Sequence, residues 1–407
     1  MPSLKVAAAA LRKTTERLAR EVVDPSDSPP DWTAFEWAIA RSAAAMQGVT
    51  ALLANRLSWS GPPLWQSFMA EQKEQSLLRH SRISELLALI ESAVRDANIV
   101  AVALKGASLR KLDLYLAGER PMGDIDLLVR PDDLPSVEIV LRKLDYVPAY
   151  TTRRHRVFEP RNKLAPSSFA EHADHPLNVE IHTVVAEPLP FSKVDITSCL
   201  WQPQAMPGLS AYPSVSELML HLALHCAGNM RAHALRQIQF HDIATLGRKF
   251  AEDDWSRLLM EPGTRSSRWW LYPPLALAER YYAGSIPEGV LRESREACPV
   301  ALRIATDRET LTNVSWSNLR IYAFPGVAWA RTPLEALRFI RSRVSPSRAA
   351  LNDMRVGRQS QSRPDPVPWY RISHGRRIWR WLFSNPPRVQ TMASLRAALD
   401  TANNFRH

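Results

Sequence analysis

The chain has 407 residues, 45% apolar and 8% aromatic, with 52 Lys and Arg against 41 Asp and Glu. This composition excludes a disordered or low-complexity protein, and the length suffices for two or three compact units. The formal charge of +11 is uneven: from Arg331 onward there are 15 Arg and four acids, which leaves a formally neutral body of 37 basic and 37 acidic groups.

The leading residues hold only a short apolar run, Ala7 to Leu11, too brief for a signal-peptide core. Asp24 to Pro30 punctuates the start, and helices are predicted over Trp32 to Gln47 and through Leu77, Leu78, Ile83, Leu86, Leu87, Leu89 and Ile90. Residues 1–95 therefore read as an N-terminal helical region.

At Asn98 the pattern changes. Ile99 to Leu104 is a β-branched apolar run ending in Lys105-Gly106, the signature of a buried strand entering a tight turn. A helix is predicted from Ala107 to Leu116, then a loop and a second strand, Asp124 to Val129. Asp132 and Asp133 offer caps for a helix over Leu134 to Leu144. A weakly patterned stretch follows, and then a third strand, Asn178 to Val185. Strand, helix, strand, helix, strand gives an α+β core over residues 96–190, with a mixed sheet and flanking helices. Residues 205–330 read as a helical block.

The rest, 331–407, is an Arg-rich extension expected to be partly ordered, with Pro and Ser breaks at Ser345 to Ser347 and Gln359 to Pro368. In it Trp369, Tyr370, Trp379, Trp381, Leu382 and Phe383 interleave with Arg371, Arg376, Arg377 and Arg380. Such a tail suits contact with nucleic acid, an acidic membrane surface or an acidic protein, or docking onto its own body. The three cysteines, Cys199, Cys226 and Cys298, are widely spaced without a CxxC, which argues against a disulfide framework and points to a reducing cytoplasm. The longest apolar stretches, Trp269 to Ala278 and Ile321 to Ala330, are half of the ~20 residues that a membrane span needs.

Chemistry concentrates in the core. In Asp124-Ile125-Asp126 on a strand, the two carboxylates share one face while Ile125 and Leu127 share the other. Paired acids repel unless a cation intervenes, and oxygen ligands suit Mg²⁺ bound with substrate phosphates. Lys105, Gly106 and Ser108 occupy a strand-to-helix turn, where a glycine admits a ligand and free N–H groups favour phosphate. Glu180 lies on a further strand with His182 on the same face. Three carboxylates from two strands can hold two metal ions and assist attack on phosphorus. Arg120 is left with two uses, phosphate contact or pairing with Asp124 or Asp126.

Leu104-Lys105-Gly106, Arg120-Pro-Met-Gly-Asp-Ile-Asp-Leu-Leu-Val129 and Val179-Glu-Ile-His182 together resemble the uncharacterised nucleotidyltransferase family of the DNA polymerase beta-like superfamily, over roughly Trp32 to Ala330. The resemblance implies Mg²⁺-dependent transfer of NMP from an NTP to a hydroxyl acceptor, with release of pyrophosphate. It assigns two Mg²⁺ to Asp124, Asp126 and Glu180, and the nucleotide to Gly106 with Ser108. This chain departs from the superfamily motif at Ala107 and in a longer spacer from Gly106 to Asp124, which the family tolerates, and from the family's own pattern in Glu180, where Asp is more frequent.

Glu217, His221 and His225 recur at helical spacing before His241-Asp242, which offers an alternative: an HD-like metal-dependent phosphohydrolase. The bland reading makes these histidines interior residues of the helical block and Asp242 a packing acid. A further alternative keeps the fold but has a degenerate site that only binds.

Overall fold

The computed structural model describes residues 3–152, 155–164, 169–190, 192–260, 268–348, 351, 373–383 and 386–404. Four helices lead: α1 (Leu4–Glu21), α2 (Ala34–Gln47), α3 (Thr50–Arg56) and the 34-residue α4 (Pro63–Asp96). α1 starts on a Ser3 side-chain cap, α2 on a reciprocal Thr33/Glu36 capping box, and α4 on a proline in its first turn.

The buried seam of α4 differs from the apolar pattern that predicts the helix. Leu77, Leu78 and Leu89 are exposed, while Gln72, Ser76 and Arg79 are buried in line with Ile83, Leu86, Ile90 and Val94. The core-facing seam of this helix carries polar groups because it passes beside the site.

The core follows as β1 (Val100–Ala103), α5 (Gly106–Leu109), β2 (Asp124–Val129), α6 (Leu134–Lys143), β3 (Tyr146–Thr151), β4 (His155–Pro160) and β5 (Asn178–His182). A two-stranded ribbon of β6 (Ala186–Leu189) and β7 (Ser192–Asp195) leads to β8 (Gly208–Ser210). The main sheet has the order β3-β4-β5-β2-β1-β8; β2 runs antiparallel to β1 and parallel to β5.

Several local expectations change. The helix expected over Ala107 to Leu116 stops at Leu109, continues as a 3₁₀ turn to Leu112 and ends at Asp113 in the left-handed region. Asp133 precedes α6 without capping it through its side chain. The third predicted strand ends at His182. β3 and β4 fill the weakly patterned stretch; β3 tolerates Pro148 because it is an edge strand with one side unpaired. The sheet's other edge, β8, comes from beyond residue 190.

Alternation sorts the two sheet faces. Ile125, Leu127, Val179, Ile181, Ala101 and Ala103 pack against α4 and α6 in one apolar cluster. At roughly 1.5–3 kcal/mol for each fully buried large aliphatic chain, this face fixes the strand register. Val102, Leu104 and Leu128 point the other way, into a second cluster formed with the helical elements. The acids therefore face the helices that follow.

Those are α7 (Val215–Ala232), α8 (Gln237–Gly247), α9 (Glu252–Leu259), α10 (Tyr272–Tyr281), α11 (Glu288–Ala297), α12 (Val300–Arg308) and α13 (Leu311–Val314). The Arg-rich end contributes α14 (Pro333–Val344), α15 (His374–Phe383) and α16 (Val389–Asn404).

α16 docks on α2: Leu395 and Ala398 are buried, the Arg41 guanidinium donates to the Ala398 carbonyl at 2.8 Å, and Ser42 and Ser394 share a hydrogen bond. Docking onto the body thus accounts for the last helix of the tail. Trp379, Leu382 and Phe383 of α15 remain exposed. The Gln359 to Pro368 breaks, with Trp369, Tyr370 and Arg371, lie outside the described residues. No helix among the described residues is long and apolar enough to cross a membrane.

Candidate active site

The parallel pairing of β2 with β5 sets Asp126 level with Glu180, and Asp124 two residues earlier on the same face. Lys105 stands over this row at the end of β1, its Nζ 3.0 Å from Asp126 Oδ2. His182 Nε2 approaches the other oxygen of Asp126 at 2.9 Å. Lys105 and His182 thus hold between them the acid at the centre of the group.

The Lys105 backbone is unusual, with φ 45° and ψ −114°. A side chain in the left-handed region costs ~1–3 kcal/mol and persists only where its surroundings hold it. Here the Lys105 amide donates to Tyr212 Oη at 3.0 Å, the side chain is pinned by Asp126, and Tyr212 Oη lies 2.7 Å from His221 Nδ1. His221 is therefore a brace for the Lys105 turn. Burial, then the Lys105 charge, push its pKa well down, so it is a neutral imidazole.

Gly106 has a concrete steric reason. A Cβ there would run into Arg120 Nη1 and the Met122 side chain, so the glycine lets a guanidinium lie against the turn. Neither Asp124 nor Asp126 pairs with Arg120. Asp242 of α8 takes it in a two-pronged bridge, from Nε at 2.8 Å and Nη2 at 2.6 Å, and also accepts from Tyr115 Oη at 2.6 Å. The Ser108 hydroxyl is engaged within the core, donating to the Ala103 carbonyl at 2.9 Å.

Arg79 of α4 joins the two acid-bearing strands. Its Nε donates to the Met122 carbonyl at 2.9 Å and its Nη1 to that of His175 at 2.7 Å, with Glu171 3.3 Å away. These are the loops entering β2 and β5. Arg79 and His155, which faces His182 across the β4–β5 pair, were not singled out from the sequence. The polar seam of α4 carried a signal for Arg79; His155 lay in a stretch with no readable strand.

The three acids divide by counter-charge. Burial alone would raise Asp126, but Lys105 and His182 outweigh it and hold this carboxyl well below its usual range. Burial and the neighbouring Asp126 charge raise Asp124, and Lys105, His182 and Arg236 offset this only in part. Glu180 is pushed to about 8 by burial, then by Asp124 and Asp126. Burial disfavours the Lys105 ammonium, yet Asp126, Asp124 and Glu180 raise its pKa. Asp124 and Glu180 are raised because Lys105 does not offset burial and the neighbouring acids, and oxygen donors crowded in this way are the chemistry a divalent cation takes.

A pH dependence follows for the metal-free protein. Folded Glu180 keeps its proton up to about 8, whereas an unhindered glutamate loses it near 4.5. The folded state binds the extra proton between these values, so this stabilising contribution is full below about 4.5 and is lost as pH rises through 8. Glu180→Gln removes the dependence. Thermal melts should show the variant gaining on the parent across that window, and a gap constant with pH contradicts the assignment.

The residues of the phosphohydrolase alternative do not converge. His221 is bound to Tyr212, His225 to Asn229 and Gln239, and Asp242 to Arg120 and Tyr115. Burial takes the His241 pKa down to about 3, and its ring packs against Tyr115 and Tyr282. Among the described residues the group with metal-ligand spacing is instead His155, Glu180 and His182.

The family described as uncharacterised nucleotidyltransferase matches residues 33–283, more than half of the chain. No curated protein and no solved structure matches it. The matched span includes the sheet, its three acids, the Lys105 turn and the Arg120–Asp242 bridge, and the chain belongs to the uncharacterised nucleotidyltransferase family.

Proposed function

We propose that the protein transfers a nucleoside monophosphate from an NTP to a hydroxyl acceptor in a Mg²⁺-dependent reaction that releases pyrophosphate. The observation that carries this reading is the level placement of Asp126 and Glu180 on adjacent parallel strands, with Asp124 on the same face and Lys105 above them.

Asp124, Asp126 and Glu180 are the residues that would hold Mg²⁺. Bound there, the metal supplies charge neutralisation to the phosphates in an in-line displacement. The acceptor oxygen bonds to the α-phosphorus as the bond to the β-phosphate oxygen breaks, and that electron pair leaves with pyrophosphate. Glu180, level with Asp126, would give up its own proton when the cation binds, and as a carboxylate it would then take the acceptor proton. Gly106 lets Arg120 lie with Nη1 against the turn, and Arg120, oriented by Asp242, would contact the triphosphate from there. Lys105 balances the charge of Asp126 until the donor arrives.

The test is incubation of the protein with each α-labelled NTP, Mg²⁺ and fractionated lysate. Label should move to one class of small molecule, protein or RNA end. Absence of Mg-NTP binding by calorimetry, with the fold intact, would favour a site that has lost its chemistry.

A further inference from the structure

Because β4 and β5 pair antiparallel, His155 stands directly across from His182, and Glu180 precedes His182 by two residues on the same face. Both imidazoles reach the same carboxylate oxygen: His155 Nε2 is 3.6 Å from Glu180 Oε2, and His182 Nε2 is 3.7 Å from it. One ligand atom from each residue lies within 4.8 Å of the other two. Metal bonds of ~2.0–2.2 Å in a tetrahedron set ligand atoms roughly 3.3–3.6 Å apart, so a small side-chain adjustment closes this trio on an ion.

The donor set decides the metal. Two nitrogens and one oxygen suit a first-row transition ion, and three protein ligands leave a position open, whereas Mg²⁺ takes oxygen ligands and retains its waters. We propose that His155, Glu180 and His182 form a transition-metal position, of the Zn²⁺ or Mn²⁺ class, beside an oxygen-only position at Asp124 and Asp126.

Glu180 would be shared by the two positions, since it is level with Asp126 on the adjacent strand and faces both histidines. His182 couples them, because the Nε2 that would ligate the ion is the one now 2.9 Å from Asp126 Oδ1, and turning it to the metal frees that oxygen. The chemical use of the site rests on the nucleotidyl-transfer reading; its existence as a metal site does not.

The experiment titrates Co²⁺ into the full-length protein in excess Mg²⁺, reads the visible absorption of the bound ion, and repeats the titration with His155→Ala and Asp124→Asn. The parent should bind one Co²⁺ that Mg²⁺ does not displace, and Asp124→Asn should retain it. His155→Ala should weaken it by more than about 100-fold, beyond the ~10–100-fold typical of losing an outer-shell partner.

Displacement by Mg²⁺, or equal binding by His155→Ala, overturns the proposal. Should His155→Ala not fold, histidine ¹⁵N spectra of the parent decide: two imidazoles must shift with Zn²⁺, and no shift overturns it. Label transfer without Co²⁺ at the histidines removes this site and leaves the transfer reading standing. Co²⁺ bound without label transfer does the reverse.

Discussion

Asp126→Ala is expected to abolish transfer of label from an α-labelled NTP, by at least about a thousandfold, the scale on which single charge-stabilising groups act in phosphoryl and acyl transfer. Asp126 is the acid at the centre of the site: it is level with Glu180, and its two oxygens meet Lys105 and His182. Removing it leaves Asp124 and Glu180 beside Lys105, and their mutual repulsion falls because one of three crowded charges is gone. The same change strips Lys105 and His182 of their shared carboxylate, so the unfolding midpoint should drop, while circular dichroism at the assay temperature shows a folded chain and activity vanishes. A variant that keeps more than about a tenth of the parent rate, against the loss expected for such groups, would remove Asp126 from the chemistry.

Asp242→Ala should act on stability first. Asp242 is almost fully buried and takes three hydrogen bonds, two from the Arg120 guanidinium and one from Tyr115. Truncation leaves a buried guanidinium and a buried hydroxyl without their partner, and breaking a buried pair from one side costs about 3–5 kcal/mol. Urea unfolding should show that loss as a lower midpoint with little change in slope. Asp242→Asn, which keeps the shape but not the charge, should lose less.

Transfer should fall in both variants, because Arg120 is then no longer held against the Gly106 turn. A cost below about 1 kcal/mol for the Ala variant would mean that Arg120 finds water or another acid, and that the helical block does not orient it.

Much of the core was legible because its signals are local. A β-branched run marks β1, strand periodicity places Asp124 and Asp126 on one face, and the spacing of Glu180 and His182 does the same on β5. The helices around it were legible in kind, though not in which face they bury. On α4, apolar Leu77, Leu78 and Leu89 point to solvent while Arg79 is buried, because the loops entering β2 and β5 offer it carbonyl partners.

β3 and β4 escaped because a proline, charges and weak alternation hide edge pairing, and His155 escaped with them. Arg120 offered two partners nearby in sequence and chose Asp242, more than a hundred residues on. His221 and Asp242, which resembled half of a metal cluster, brace Lys105 and Arg120 instead.

Three features are readable from the order of residues: a neutral body, an excess of positive charge from Arg331 onward, and a strand with paired acids behind a Lys-Gly turn. They follow from composition and from the two-residue repeat of a strand, which needs no knowledge of neighbours. Folding in three dimensions was needed to decide that Lys105 and His182 share Asp126, that burial and two neighbouring acids outweigh Lys105 at Glu180, and that α16 docks on α2. Those outcomes depend on register and long-range packing, where the energy of a charge is set by which group lies within about 3–4 Å and how much water has been excluded.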